Sequence, residues 1–411
     1  MNVIIHPSSL GGAVPAVPSK SMAHRLMVLS AIAPEPSEVV CKTTSQDIDA
    51  TARCLRALCT SDDSCLLDCG ESGSTLRFLL PVIGALGKTA RIVRHGRLAQ
   101  RPLAPLDDQL RAHGMCIEED GDSLVVQGKL HGGHFSLPGD ISSQYVSGLL
   151  LAAPLLAEPI EVFVSTPVQS RPYVLLTIAA LNKFGVEVVC DRVGLGAASC
   201  ERFALEPCTL RGPGRIVVEG DWSNAAFWLA AGALEAQGVT VSGLDLMSAQ
   251  GDRAILAALA AFGARVARKG NAARVTRDTP RAASMDVRSI PDLVPPLAAV
   301  AATTPGTTTL RNAGRLRLKE SDRLATVTAA INAMGGRACV VNDDLVIEGV
   351  GELSGGHVNA ANDHRIAMMT AIMAAHATGT TLLDGAECVA KSYPGFWDDY
   401  HLLGGHVTEN Q

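Results

Sequence analysis

Apolar residues along this chain fall into two alternating kinds of run. Short runs such as Val3–His6, Leu124–Val126 and Leu345–Ile347 are β-branched or tightly bounded and predict strands. Longer runs predict helices, and six of them follow a small polar cluster. Pro18-Ser19-Lys20-Ser21 precedes Met22–Ala31, and Gly70–Arg77 (GESGSTLR) precedes Phe78–Leu86. Gly139–Gln144 (GDISSQ) precedes Tyr145–Leu156, and Gly220-Asp221-Trp222-Ser223 precedes Asn224–Ala236. Ile290-Pro291-Asp292 precedes Leu293–Ala302, and Ala361–Arg365 precedes Ile366–Ala377. The clusters begin at 18, 70, 139, 220, 290 and 361, so the gaps are 52, 69, 81, 70 and 71. A nearly constant period of this length means one supersecondary unit used six times.

Each unit continues with a strand, a second amphipathic helix and a hairpin. In the fifth, Ser321 or Asp322 caps a helix with apolar positions Leu324, Val327, Ile331 and Met334, stopped by Gly335-Gly336. Ala338–Val341 and Leu345–Ile347 then flank the turn Asn342-Asp343-Asp344. The second unit repeats this with a helix over Leu103–His113, and the third with Pro172–Phe184 followed by a strand over Val186–Cys190. The first is shortened, with Asp47–Leu58 as its second helix and Cys65–Asp68 as its remaining strand. The expected fold class is α/β, built from βαβαββ units. Three units per domain give a lower domain over 14–218 and an upper domain over 1–13 plus 219–411. The N-terminal strand is expected to pair into the upper domain, giving two crossover hinge strands and closure on ligand.

Composition narrows the class. Length alone argues for two domains, and 47% apolar with 18% charged residues means a well-buried globular chain. The first residues, Met1–Pro7, do not read as a signal peptide, and no apolar run approaches the roughly 18 residues of a membrane span. Eleven scattered cysteines without a CxxC pair read as reduced thiols of a cytoplasmic protein, with no zinc site or disulfide framework. A net charge of −6 argues against nucleic-acid binding, so any anion site must focus its cations locally.

The helix starts do focus them. A helix start leaves about four N–H groups unpaired and carries partial positive charge, which suits phosphate or carboxylate. At or near the first-helix starts stand Lys20, Ser21 and Arg25; Gly73, Ser74 and Thr75; Ser142, Ser143 and Gln144; Asp292; and His364 with Arg365. At the second-helix starts stand Arg101, Ser170 with Tyr173, Lys319 with Glu320 and Arg323, and Lys391. Seven cations at equivalent places in repeated units point to an anion site, where a solvated surface would scatter them. That number suits two anionic ligands together, with Arg gripping through its planar fork and Lys as a point charge. Asp292 and Glu320 are the carboxylates among them. A carboxylate ringed by cations stays ionised and can accept a proton. The plainer readings are an N-cap for Asp292 and a first-turn charge for Glu320. His364 reads as an orienting neighbour.

In order, PSKSMAHR (18–25), GESGSTLR (70–77), QRPL (100–103), GDISSQY (139–145), SRPY (170–173), IPD (290–292), LKESDR (318–323), NDHR (362–365) and KSYPGF (391–396) resemble the enolpyruvyl transferase family that makes 5-enolpyruvylshikimate 3-phosphate. The resemblance implies a two-domain inside-out α/β barrel of six βαβαββ units, with helix starts turned to an interdomain cleft. It implies a monomeric shikimate-pathway enzyme with two substrates, shikimate 3-phosphate and phosphoenolpyruvate, and no metal, cofactor, nucleic acid or membrane partner. By motif, Lys20, Ser21, Arg25, Ser142, Ser143, Gln144, Ser170, Tyr173, Asp292 and Lys319 would hold shikimate 3-phosphate. Lys20, Gly73, Arg101, Gln144, Arg323, Arg365 and Lys391 would hold phosphoenolpyruvate. Asp292 would take the hydroxyl proton, Glu320 would move the proton at C3, Lys391 would act on the departing phosphate, and Lys20 would be catalytic as well.

The chain departs from the family in places. Glu71-Ser72-Gly73-Ser74 stands where the family often has Asn-Ala-Gly-Thr, Phe78 stands for Pro, and Arg315 replaces a substrate-contacting Asn. Gly73 is kept, which in this family leaves space for the inhibitor glyphosate. The sister enzymes that act on UDP-N-acetylglucosamine resemble a Lys-Asn pair where this chain has Lys20-Ser21. They also carry a reactive cysteine in a region where Arg94–Pro105 has none. RNA 3′-phosphate cyclases share the repeat but need a histidine nucleophile in a context unlike that of His364. A non-catalytic phosphometabolite-binding protein would have little use for Asp292, Glu320 and Lys391.

Overall fold

The computed structural model describes residues 1–60, 64–140, 142–165, 168–194 and 199–410, so Ile141 of the GDISSQY motif lies outside the described residues. The chain forms two compact units, Met1–Ser19 with Glu219–Gln411, and Lys20–Val218.

The first strands, β1 (Asn2–His6) and β2 (Gly12–Pro15), belong to the first of these. The unit Lys20–Val218 then opens with helix α1 (Lys20–Ile32), strand β3 (Glu38–Val40) and helix α2 (Gln46–Thr60). Its second repeat runs β4 (Ser64–Asp68), α3 (Gly73–Ala85), β5 (Thr89–Val93), α4 (Leu106–Ala112), β6 (Met115–Asp120) and β7 (Ser123–Gly128). The third runs β8 (Gly133–Leu137), α5 (Ser143–Ala152), β9 (Ile160–Ser165), α6 (Arg171–Lys183), β10 (Val189–Val193) and β11 (Cys200–Leu205). Strand β12 (Arg215–Val217) closes the unit by pairing in parallel with β3.

The remaining unit continues with α7 (Trp222–Leu234), β13 (Val239–Ser242), α8 (Ile255–Ala261), β14 (Arg265–Lys269) and β15 (Ala272–Thr276). Next come β16 (Met285–Asp286), α9 (Val294–Thr303), β17 (Gly306–Arg311), α10 (Arg323–Ala333), β18 (Arg337–Val341) and β19 (Asp344–Gly349). Last are β20 (Gly356–Asn359), α11 (His364–Ala375), β21 (Thr381–Asp384), α12 (Phe396–Leu402) and β22 (His406–Asn410).

Five sheets share one topology. In β4-β5-β7-β6, for example, the first two strands are parallel and the hairpin folds back antiparallel beside them. Two of the five borrow a strand from the N-terminus. β1 lies between β21 and β22, antiparallel to both, and β2 pairs in parallel with β13. These pairings correct two expectations. The division falls after Ser19, not after residue 13, because β2 hydrogen-bonds to β13 and carries residues 14–19 with it. The stretch Cys65–Asp68 is not the tail of the first repeat but part of β4, the leading strand of the second sheet. The first repeat is left with the two-stranded sheet β12-β3. Two local boundaries also moved: α4 begins at Leu106, not Leu103, and the strand expected over Val186–Cys190 is β10 at Val189–Val193.

The arrangement is inside out. Every residue of α7, α9 and α11 is buried, and the three pack on one another, as helices apolar on all faces must. In the other unit, α3 is buried at every residue except Ser74, and α5 at every residue except Gln144. Strands alternate instead, one side inward and one outward, as in β4 and β11. Among the described residues no helix is long and apolar enough to cross a membrane, and no group of His, Cys, Asp or Glu is placed to hold a metal ion. The eleven cysteines are free thiols.

Candidate functional site

Each unit gathers polar residues at its buried helix starts. In Lys20–Val218 the centre is the start of α3. Ser72 caps it by accepting from the Thr75 N–H at 3.3 Å. The N–H groups of Gly73 and Ser74 have no acceptor among the described residues. A Cβ on Gly73 would lie 2.5 Å from one guanidinium nitrogen of Arg77 and 2.7 Å from one of Arg101. Glycine is therefore needed here so that two guanidinium groups can converge on a helix start. Arg77 donates to the Gly73 carbonyl at 3.4 Å, the Pro102 carbonyl at 3.0 Å and Gln144 Oε1 at 3.2 Å. The Arg101 guanidinium has no hydrogen-bond or ion-pair partner among the described residues, and its Nε is buried. Gln144 reaches across from α5 to donate to Ser74 Oγ at 2.9 Å. Helix α5 approaches that closely because Gly148, one turn on, rests against the Arg77 carbonyl where any Cβ would clash.

The same unit holds the remaining candidates of its half. Ser142 caps α5 by accepting from the Gln144 N–H at 3.3 Å, and Ser143 is the first helical residue. Ser170 precedes α6 in the left-handed region at φ 54°, a conformation that a non-glycine residue holds only under constraint. Arg25 is buried and donates to Thr177 Oγ1 at 2.7 Å, the Ser21 carbonyl at 2.6 Å, Ser147 Oγ at 3.2 Å and the Tyr173 carbonyl at 2.9 Å. These acceptors are neutral, and burial pushes the Arg25 guanidinium down to about 9, still cationic at neutral pH. Lys20, the first residue of α1, pairs with Asp47 of α2 at 2.8 Å.

The other unit is arranged around two linked hubs. Asp292 takes Lys319 Nζ at 3.2 Å and an Arg323 nitrogen at 2.8 Å on one carboxylate oxygen, and Arg365 at 3.6 Å on the other. The capping role is thereby excluded: α9 begins at Val294 behind Leu293, and Asp292 turns away to these cations. Arg323, 1% exposed, also donates to Glu320 at 2.6 Å and to both oxygens of Asp363 at 2.8 and 3.1 Å. Burial disfavours its charge, yet the carboxylates of Asp363, Glu320 and Asp292 together raise its pKa. Asp363 caps α11 by accepting from the Arg365 N–H at 3.0 Å and takes the Ser321 hydroxyl at 2.9 Å. His364 is buried beside it. Lys391 donates to the Asn362 carbonyl at 2.8 Å, in a loop where Ala361 and Asn362 are both left-handed. Burial, with Arg323 and Arg315 nearby, lowers the pKa of Lys319 although Asp292 opposes the shift.

Four participants escaped the sequence reading. Arg77 stands four residues after Gly73, on the same helix face, so spacing could have found it. Asp47 and Asp363 become visible only through the partners they meet. Asp252 is fully buried and takes the Ser223 hydroxyl. Burial and the Asp292 carboxylate push its pKa up to about 6, with Arg365 and Ser223 opposing.

Comparison with known proteins agrees over the whole chain. The family model for EPSP synthase (3-phosphoshikimate 1-carboxyvinyltransferase) matches residues 4–64 and 59–400. A 3-phosphoshikimate 1-carboxyvinyltransferase of Clostridium kluyveri is 38% identical over 426 aligned residues, covering 99% of this chain and 98% of its own length. One from Methanocorpusculum labreanum is 34% identical and covers 100% of both. An EPSP synthase structure from Acinetobacter baumannii has a TM-score of 0.79 at 23% identity, covering 99% of this chain and 100% of its own. The enolpyruvyl transferase NikO of Streptomyces tendae has a TM-score of 0.76 at 18% identity, covering 100% and 99%. With both length and fold matched, the chain belongs to the EPSP synthase family, the 3-phosphoshikimate 1-carboxyvinyltransferases.

Proposed function

We propose that these two clusters carry out the family's reaction, in which phosphoenolpyruvate gives its enolpyruvyl group to the 5-hydroxyl of shikimate 3-phosphate and phosphate is released. The hydroxyl oxygen bonds to C2 of phosphoenolpyruvate while C3 gains a proton. The resulting tetrahedral adduct loses phosphate, C3 returns its proton, and 5-enolpyruvylshikimate 3-phosphate remains. The observation that carries this reading is the start of α3. Two N–H groups and the Arg101 guanidinium have no protein acceptor among the described residues, around a glycine whose missing Cβ makes room for them. Such fixed donors suit an anion and stabilise charge that builds up in the transition state.

Phosphoenolpyruvate is assigned to Lys20, Gly73, Arg101, Gln144, Arg323, Arg365 and Lys391. Arg323 has five N–H donors and spends four on Asp292, Glu320 and Asp363, which leaves one for the ligand. Shikimate 3-phosphate is assigned to Lys20, Ser21, Ser142, Ser143, Gln144, Ser170, Tyr173, Asp292 and Lys319. Arg25 supports them through the main chain of Ser21 and Tyr173. Asp292 accepts the hydroxyl proton, with Lys319 beside it lowered in pKa and so readier to pass a proton on. Glu320 moves the proton at C3, held in place by Arg323. Lys20 and Lys391 balance the charge of the departing phosphate, and His364 orients the start of α11. The protein acts as a monomer.

The test is phosphate release from phosphoenolpyruvate with shikimate 3-phosphate, with UDP-N-acetylglucosamine and with no acceptor. Release only with shikimate 3-phosphate is expected. Release only with the nucleotide sugar would transfer the chain to the sister activity, and silence from folded protein would leave a binding role.

A further inference from the structure

Behind the start of α3 runs a buried hydrogen-bonded chain that the reaction scheme does not use. It links three helices through His24 of α1, Thr51 of α2, and Thr75 with its cap Ser72 on α3, each no more than 1% exposed. His24 Nδ1 lies 2.6 Å from Thr51 Oγ1, and Thr51 Oγ1 lies 2.6 Å from Thr75 Oγ1. Thr75 Oγ1 donates to Ser72 Oγ at 2.7 Å.

Counting protons gives the chain a direction. Each hydroxyl has one proton to donate. Thr75 gives its proton to Ser72, so Thr51 must donate to Thr75, and His24 Nδ1–H must donate to Thr51. The ring is therefore the Nδ1–H tautomer with a bare Nε2, and Nε2 has no hydrogen-bond partner among the described residues. Burial, with Lys20 and Arg25 adding, pushes the ring pKa well below 6.5, so the imidazole stays neutral. Every O–H dipole in the chain then points toward Ser72, the residue before Gly73. Aligned hydrogen bonds polarise one another.

We propose that His24, Thr51, Thr75 and Ser72 form a positioning relay for the phosphoenolpyruvate end of the site. The relay holds Ser72 so that the N–H groups of Gly73 and Ser74 stay turned to the anion, and it adds an aligned dipole without adding charge. It rests on the reading of the α3 start as the phosphoenolpyruvate site. The relay acts on phosphoenolpyruvate affinity and not on acceptor affinity.

The experiment uses full-length protein labelled with ¹⁵N in its histidine rings, as wild type, Ser72→Ala and Thr51→Val. His24 is assigned by the resonance missing from His24→Asn. Two quantities are read: KM for each substrate, and the His24 ring shifts with and without phosphoenolpyruvate. Wild type should show the Nδ1–H tautomer and respond to phosphoenolpyruvate. Ser72→Ala should raise the phosphoenolpyruvate KM about fivefold, as for loss of a helix cap. Thr51→Val, which leaves the cap in place, should raise it roughly twofold to threefold by breaking the chain's polarisation. Both should leave the shikimate 3-phosphate KM nearly unchanged and lose the single tautomer. An unaltered phosphoenolpyruvate KM in Thr51→Val beside a raised one in Ser72→Ala would reduce the chain to a local cap and overturn the relay. So would an Nε2–H ring, an equal rise in both KM values, or His24 shifts indifferent to phosphoenolpyruvate in an active wild type. Wild type that fails to turn over shikimate 3-phosphate, while phosphoenolpyruvate still moves the His24 signals, would sink the reaction assignment and keep the relay.

Discussion

The two clusters use the same residue types to opposite electrostatic ends. In Lys20–Val218, Arg25 and Arg101 meet no carboxylate among the described residues, Arg77 donates to carbonyl and amide oxygens, and Lys20 pairs with Asp47. In the other unit Asp292 collects Lys319, Arg323 and Arg365, and Arg323 collects Asp292, Glu320 and Asp363. A cation answered only by neutral acceptors keeps its field, and a ligand anion completes the pairing. A cation already matched to carboxylates gives up most of that field and serves to hold those carboxylates still. The first region therefore suits gripping anions, and the second suits moving protons between groups of fixed geometry.

The contrast predicts different failures. Arg323→Met takes a cationic partner from three carboxylates, two of them buried, so it should cost about 3–5 kcal/mol of stability along with activity, read from denaturant unfolding. A variant as stable as wild type would break the comparison at its centre. Asp292→Asn should lower kcat by about two orders of magnitude or more, with both KM values little changed; near-normal turnover would remove Asp292 from the role of base. Arg101→Ala deletes a group with no protein partner among the described residues. It should raise the phosphoenolpyruvate KM about tenfold or more, as for a lost charged hydrogen bond, with stability close to wild type. A stability loss matching that of Arg323→Met would erase the distinction between the regions.

The smallest effect is in pH dependence. Asp252 titrates near 6 in the folded chain, raised by burial, against about 3.9 when unfolded. An acid raised on folding costs nothing below about pH 4, costs progressively more as pH rises to about 6, and costs its full amount above that. Asp252→Asn should therefore stabilise the protein by on the order of 3 kcal/mol at pH 7–8, and the gain should vanish by pH 4. A gain independent of pH would assign the effect to packing.

Much of this was readable along the chain, because helix starts and glycine turns are local. The cluster around GESGSTLR reads as a polar helix start through residues within one turn of one another, and Arg77 belongs to the same turn. Asp292 was different. Locally it reads as a cap beside Pro291, and only the positions of Lys319, Arg323 and Arg365, 27 to 73 residues away, decide against that. Asp252 carried no local signal, since its chemistry lies in burial and in the carboxylate of Asp292, and Asp363 read locally as a polar residue at a helix start, with its pairing to Arg323 of another repeat left unseen.

The repeat, its period, the helix starts and the cations placed at them are written along the chain, because each depends on residues a few positions apart. Which strand completes which sheet, and with it the division after Ser19, is set in the folded chain. β1 finds β21 and β22, and β2 finds β13, across more than two hundred residues. Backbone hydrogen bonding is nearly blind to side-chain identity, so such pairings leave little trace in the sequence. The same holds for charge. A sequence counts seven cations, but whether each keeps its field for a ligand or gives it to a carboxylate depends on distances of a few ångströms that only the folded chain establishes.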